Sequence, residues 1–155
     1  MKKNITWILV LSLVTIFSAC IKDTDCKPKT VASEEAEMQN YATTISMAAT
    51  RHSTGVYYQI LNQGSGPAPT FSSVLSVRYT GKLLNGTIFD SQTTTPVSFP
   101  LGQVILGWQV GLSLIQKGGV IRLIIPSSLA YGCQGRGTIP ADAILYFDVE
   151  LVDVQ

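Results

Sequence analysis

The residues able to do chemistry are few in this chain, and the gaps among them narrow what it can catalyse. His52 is the one histidine and stands in a polar segment, so it reads as a solvated linker residue rather than half of an acid–base device. The three cysteines, Cys20, Cys26 and Cys133, are too few and too scattered for a disulfide framework or a zinc site, and no metal or cofactor is expected. Cys133 has only Arg136 as a basic neighbour, which gives it no reason to be a reactive thiolate. What remains is aromatic and carboxylate: Tyr79, the adjacent Phe89 and Asp90, Trp108, Tyr131 and Phe147. On pattern alone Tyr79, Trp108 and Phe147 read as core residues and Asp90 as a turn-capping carboxylate. Asp148 and Glu150 read as the solvated face of a strand.

The elements that must position these side chains are mostly strands. Leu75, Val77 and Tyr79 alternate with Ser76, Arg78 and Thr80, the period of a half-buried strand. Val56 to Leu61 is a β-rich run, and Asn85-Gly86 predicts a hairpin turn joining Lys82 to Leu84 with Thr87 to Phe89. A further strand is expected near Val97 to Leu101. Trp108, Leu112 and Ile115 recur at helical spacing and Gly118-Gly119 supplies a stop, which predicts the domain's one helix over Trp108 to Lys117. Ile121, Leu123 and Ile125, then Leu145, Phe147, Val149 and Leu151, mark two more strands. Many strands, tight turns and a single helix predict an α+β domain: a twisted antiparallel sheet of five or six strands wrapped around one short helix, over residues 54 to 155.

Upstream, residues 33 to 53 hold a helix and linker. Ser33 is its expected cap, Glu34, Glu35 and Glu37 suit the helix dipole, and Met38, Tyr41, Ala42, Ile45 and Ala49 form a stripe. A short isolated helix is marginal in water, so the stripe should either dock on its own domain or pair with a second copy in a homodimer through residues 33 to 49. Residues 1 to 19 have the order of a secretory signal: Lys2-Lys3, an apolar run too short for a membrane span, then small residues. FSAC at 17 to 20 resembles a bacterial lipobox, so Cys20 is the expected lipidation site, with residues 20 to 32 as a polar tether. A plain signal cut after Ala19 is the alternative. An oxidising compartment permits a bridge between Cys26 and Cys133. With one in a tail and the other in a loop, none is expected. A net charge of +1 with 14% charged residues, and no basic patch, argues against a nucleic-acid partner.

Four blocks then stand in a telling order: VRYTGKLLNGTIFDS at 77 to 91, FPLGQVILGWQVGL at 99 to 112, AYGCQGRGTIP at 130 to 140 and LYFDVELVDV at 145 to 154. Together they resemble the FKBP-type peptidyl-prolyl cis/trans isomerases, over about the whole C-terminal domain. The resemblance implies a shallow apolar pocket between sheet and helix. It implies that Trp108 is the pocket floor, that Tyr79 holds the proline ring by apolar contact, that Tyr131 and the backbone N–H of Ile105 bind substrate carbonyls, and that Asp90, near Tyr79, orders the pocket or meets the rotating carbonyl. Phe89, Val97, Phe99, Val104, Ile139 and Phe147 are implied as substrate contacts. Val97 stands where the family often has an aromatic, so one wall should be less aromatic. Only a short loop separates Ala130 from Ile144, which leaves no room for the inserted domain of some bacterial relatives.

The implied activity is isomerisation of X-Pro bonds in exported or envelope proteins, with proline-containing polypeptides as substrates and macrolide inhibitors as further ligands. The competing expectation is a proline-peptide-binding or chaperone-like adaptor of the same fold with little turnover. The expected location is the bacterial cell envelope, with the lipid on Cys20 holding the chain to the outer membrane.

Overall fold

The computed structural model describes residues 26–155; the expected signal segment and the Cys20 lipidation site lie outside the described residues. A 6-stranded, wholly antiparallel sheet forms the body. Its strands are β1 (Thr50–Arg51), β2 (Tyr57–Asn62), β3 (Val74–Leu83), β4 (Ile88–Pro100), β5 (Val120–Ile125) and β6 (Leu145–Val154), in the order β1-β2-β5-β6-β3-β4. The interior β6 shows why the sheet forms where it does. Leu145, Phe147, Val149 and Leu151 are buried on one face, as are Leu75, Val77 and Tyr79 of the neighbouring β3. At roughly 1.5 to 3 kcal/mol for each large apolar side chain removed from water, this face is the main source of the fold's stability.

That face is covered by α2 (Leu106–Leu112), which brings Trp108 and Leu112 onto the sheet. The helix is shorter than the expected Trp108 to Lys117 and starts earlier. Ile115 is fully buried, as its spacing predicts, but it lies in turns beyond Leu112. The reason is competition for the backbone: the Gln116 N–H donates to the Gln63 carbonyl (2.9 Å) and the Gly118 N–H to that of Leu151 (2.7 Å) instead of extending the helix. Gly107 and Gly111 face β5, and a Cβ at either would collide with Ile125 or Leu123, so the two glycines let the helix lie close to the sheet.

The two short strands expected on either side of residue 92 are one bent strand, β4. Its register against β3 jumps from Val77↔Val97 to Tyr79↔Gln92, so residues 93 to 96 bulge out opposite Arg78, whose Nε donates to the Thr94 carbonyl (3.2 Å). Pro96 sits in this bulge, where a missing N–H costs no ladder bond. The Asn85-Gly86 hairpin forms as expected, with the Thr87 N–H donating to Asn85 Oδ1 and Gly86 at φ +88°.

On the opposite face lies α1 (Val31–Thr44). Its cap is Thr30, not Ser33: Thr30 Oγ1 accepts the Ser33 N–H and the Ser33 hydroxyl donates to the Thr30 carbonyl (2.7 Å). The helix stops at Thr44 rather than Ala49, because Ser46 takes a left-handed φ of 51° and the Met47 N–H turns back to the Ala42 carbonyl. Met38 and Ala42 pack with Met47 on Tyr57, Ile124 and Tyr146 of the chain's own sheet and on Ile144 just before β6, flanked by half-buried Tyr41, Ile45 and Ala49. The apolar stripe is therefore used within the chain, and the outward face of α1 is left with residues such as Glu37, Asn40 and Thr43.

Glu34 and the cysteines depart most from expectation. Glu34 does more than suit the helix dipole: it is 1% exposed, and its Oε2 accepts the Ser127 N–H (2.9 Å) at the start of the loop between β5 and β6. Cys26 and Cys133 form a disulfide, with Cα atoms 5.5 Å apart. Docking α1 on the sheet carries the tail back toward that loop and brings together two cysteines far apart in sequence.

Candidate active site

The site is built on Tyr79, an inward side chain of β3. Its ring meets the Trp108 indole edge-on (centroids 5.1 Å, 85°), and Trp108 in turn meets Phe147 of β6 (5.3 Å, 79°) and Phe99 of β4 (6.2 Å, 81°). Edge-to-face geometry of this kind is favourable for aromatic quadrupoles, so the rings brace one another. Trp108 is 5% exposed and its Nε1 is buried without a partner among the described residues, so the indole offers an apolar surface and no accessible donor. Gly81, paired with both Asp90 and Phe147, leaves the space in which the Phe89 and Phe147 rings meet at 5.5 Å; a Cβ there would strike both.

Neighbouring residues of a strand normally point to opposite faces, yet Phe89 and Asp90 both line the same cleft. A β-bulge explains this. The register moves from Gly81↔Asp90 to Lys82↔Ile88, so Phe89 has no partner of its own and the strand twists enough to turn both side chains inward. The Asp90 carboxylate then accepts the Tyr79 hydroxyl at 2.6 Å. Burial first, and then this bond to Asp90, push the Tyr79 phenol well above its ordinary pKa, so Tyr79 is a neutral donor and Asp90 the acceptor.

The remaining walls come from two connections. Between β4 and α2, Val104 and Ile105 border the cleft, held by Gln109 Nε2 donating to the Val104 carbonyl (2.8 Å) and by the Trp108 N–H donating to that of Ile105 (2.9 Å). The Ile105 N–H has no backbone acceptor among the described residues and stands at the cleft's edge. Between β5 and β6, Tyr131 and Arg136 close the other side, with the guanidinium 5.6 Å from the Tyr131 ring centre. The result is a cleft of about 400 Å³ with an aromatic floor and a polar rim, the size and make-up of a site for a small apolar group flanked by hydrogen-bonding atoms.

Tyr79, Phe89, Asp90, Phe99, Val104, Ile105, Trp108, Tyr131 and Phe147 all come together here, as their places in the sequence blocks imply. Val97 and Ile139 do not line the cleft. Val97 lies beyond the large bulge and packs half-buried on the core, and Ile139 is buried in the same core cluster as Tyr79, Trp108 and Phe147. Two further lining residues, Gln103 and Arg136, fall outside the apolar and aromatic pattern that makes the other walls legible in the sequence. The visible signal for Arg136 was a lone cation between two glycines, both of which adopt positive φ (+64° and +57°) to turn the chain there.

A sheet curled over one helix, with an aromatic cleft between them, makes a class of fold able to seat a small apolar group beside hydrogen-bonding atoms. A family model described as FKBP-type peptidyl-prolyl cis-trans isomerase matches residues 66–152. The chain is 49% identical over 105 residues to the FKBP-type peptidyl-prolyl cis-trans isomerase FkpA of Escherichia coli (strain K12), covering 66% of this chain and 39% of that protein. Among solved structures, the crystal structure of FkpA from Escherichia coli matches with a TM-score of 0.72 and 43% identity, over 81% of this chain and 61% of that one. A peptidyl-prolyl cis-trans isomerase from Pseudomonas syringae pv. tomato matches with a TM-score of 0.68 and 31% identity, over 83% of this chain and 98% of that one. This chain belongs to the FKBP-type peptidyl-prolyl cis-trans isomerase family. It spans about two-fifths of the length of the curated relatives it matches.

Proposed function

We propose that this chain is a peptidyl-prolyl cis/trans isomerase acting on X-Pro bonds of polypeptides without a covalent intermediate. The observation that carries the reading is the aromatic cleft of Tyr79, Trp108 and Phe147 with the Tyr79–Asp90 hydrogen bond at its wall. Rotation about an X-Pro bond crosses a barrier near ~18 to 20 kcal/mol and takes tens to hundreds of seconds unaided. At the twisted transition state amide resonance is lost and the carbonyl oxygen gives up negative charge, so an apolar floor disfavours it less than it disfavours the planar amide. The prolyl ring rests on Trp108, while the Ile105 N–H and the Tyr131 hydroxyl bind carbonyls flanking the rotating bond. A thousandfold acceleration needs only ~4 kcal/mol of such differential binding.

The test is protease-coupled isomerisation of an Ala-Leu-Pro-Phe-type peptide by the full chain. Acceleration proportional to enzyme concentration, and competed by a macrolide that fills the same cleft, supports the reading. A folded chain without acceleration leaves a proline-peptide-binding adaptor.

The same proposal places the chain in the bacterial cell envelope, exported and lipid-anchored through Cys20 at the outer membrane, with exported proteins as its substrates. The Cys26–Cys133 disulfide supports export, since such bonds persist in oxidising compartments. Mass spectrometry of the N-terminal peptide from a membrane fraction tests it: a diacylglyceryl group on Cys20 is expected, and an unmodified Cys20 contradicts the anchor.

A further inference from the structure

The cleft carries one feature that a proline ring does not need, a positive charge. Arg136 lines the site from the loop between β5 and β6, and three contacts hold it in place. Its N–H donates to the Ile139 carbonyl and its carbonyl accepts the Ile139 N–H, both at 2.9 Å, and its guanidinium lies 5.6 Å from the Tyr131 ring centre, within cation–π range. The chain's other arginines, Arg51, Arg78 and Arg122, each pair with a carboxylate of the protein; among the described residues Arg136 pairs with none. Asp90, the carboxylate of the same cleft, instead accepts the Tyr79 hydroxyl.

We propose that Arg136 is a specificity-determining residue that selects proline segments bearing a carboxylate next to or near the proline. The inference rests on the isomerase reading above and sharpens its substrate class to acidic proline-containing peptides. Asp90 sets the direction of binding: a substrate carboxylate is repelled from the Tyr79–Asp90 wall and attracted to the Tyr131–Arg136 wall. An exposed pair of this kind changes a rate by about two- to fivefold, and screening weakens it as ionic strength rises.

The experiment compares kcat/KM for matched peptides carrying Glu or Gln at each position from two before to two after the proline, followed by NMR exchange so that no coupling protease adds its own preference. Arg136→Gln also removes the cation over Tyr131 and lowers both rates, so the quantity read is the Glu-to-Gln ratio. The wild-type chain should give a ratio of about two to five for at least one position at low salt. The ratio should fall to one or below in Arg136→Gln, where only the Asp90 repulsion remains, fall toward one at high salt, and return in Arg136→Lys. Acceleration of all peptides with a ratio near one at every position, or a ratio unchanged in Arg136→Gln, overturns the proposal and leaves the isomerase reading standing. No acceleration of any peptide overturns both.

Discussion

At the scale of the residue, the site depends on Tyr79 and Asp90. Tyr79 is 8% exposed and its proton is held by burial and by the Asp90 carboxylate; Tyr146, held by burial and by Asp148, is raised in the same way. In the unfolded chain both phenols titrate near ~10. Above that value the unfolded state has lost protons that the native state keeps, so the stabilisation is complete below it and declines as pH rises toward the native values. The urea midpoint should therefore fall between about pH 9 and about pH 11, and the phenolate absorbance of these two residues should appear together with loss of the folded circular dichroism signal. Phenolate formation assigned to Tyr79 and Tyr146, by its loss in Tyr→Phe variants, at about pH 10 in a chain that stays folded would contradict this. Asp90 was legible only through the block it sits in, since an isolated Phe-Asp reads as a turn. What the sequence hid was the bulge at Phe89, because a register shift depends on the partner strands and leaves no local signature. The same holds for Val97, whose type suits a pocket wall but which stands beyond the register break between Val77 and Tyr79.

At the scale of the element, α2 is a short helix held close to the sheet by two glycines. Gly→Ala within a helix ordinarily gains up to ~1 kcal/mol from backbone propensity. At Gly107 the new methyl would run into Ile125, which is fully buried and has no room to move, and overpacking of that kind costs ~1 to 3 kcal/mol. The clash outweighs the gain in propensity, so Gly107→Ala should destabilise the chain by about 1 to 2 kcal/mol in urea unfolding. A stabilised variant would mean that the helix is not wedged against β5. The spacing of Trp108, Leu112 and Ile115 correctly gave the buried face of this region. Its end was illegible because Gln63 and Leu151, both distant in sequence, take the hydrogen bonds that would have extended the helix. For α1 the stripe was legible and its use was not: which surface covers an amphipathic helix depends on what the outer face of the sheet offers, here Tyr57, Ile124 and Tyr146.

At the scale of the whole molecule, the segment before the sheet ties down one wall of the cleft. Glu34 binds the start of the loop between β5 and β6 at Ser127, and the Cys26–Cys133 disulfide grips it beyond Tyr131. The bridge spans 107 positions, and closing so long a loop in the unfolded chain gives a typical stabilisation of ~2 to 4 kcal/mol. Cys133→Ser, or reduction of the wild type, should lower unfolding stability by about that amount, and equal stability of oxidised and reduced chains would contradict the tether. The α+β architecture, five of the six strands and most of the cleft could be read from alternation and from the ordered blocks, whereas β1 falls in the expected linker and exists only by pairing with β2. The tether could not, because it depends on α1 first docking on the sheet.

The central claim is that the aromatic cleft itself accelerates rotation, and the measurement that tests it most directly is the isomerisation rate of Trp108→Leu and Asp90→Val beside the wild-type chain, each shown to be folded by circular dichroism. Loss of the flat floor, or of the carboxylate that orders Tyr79, should cut kcat/KM about tenfold or more, equivalent to ~1.4 kcal/mol or more of transition-state binding. Wild-type rates in both folded variants would show that catalysis does not occur in this cleft.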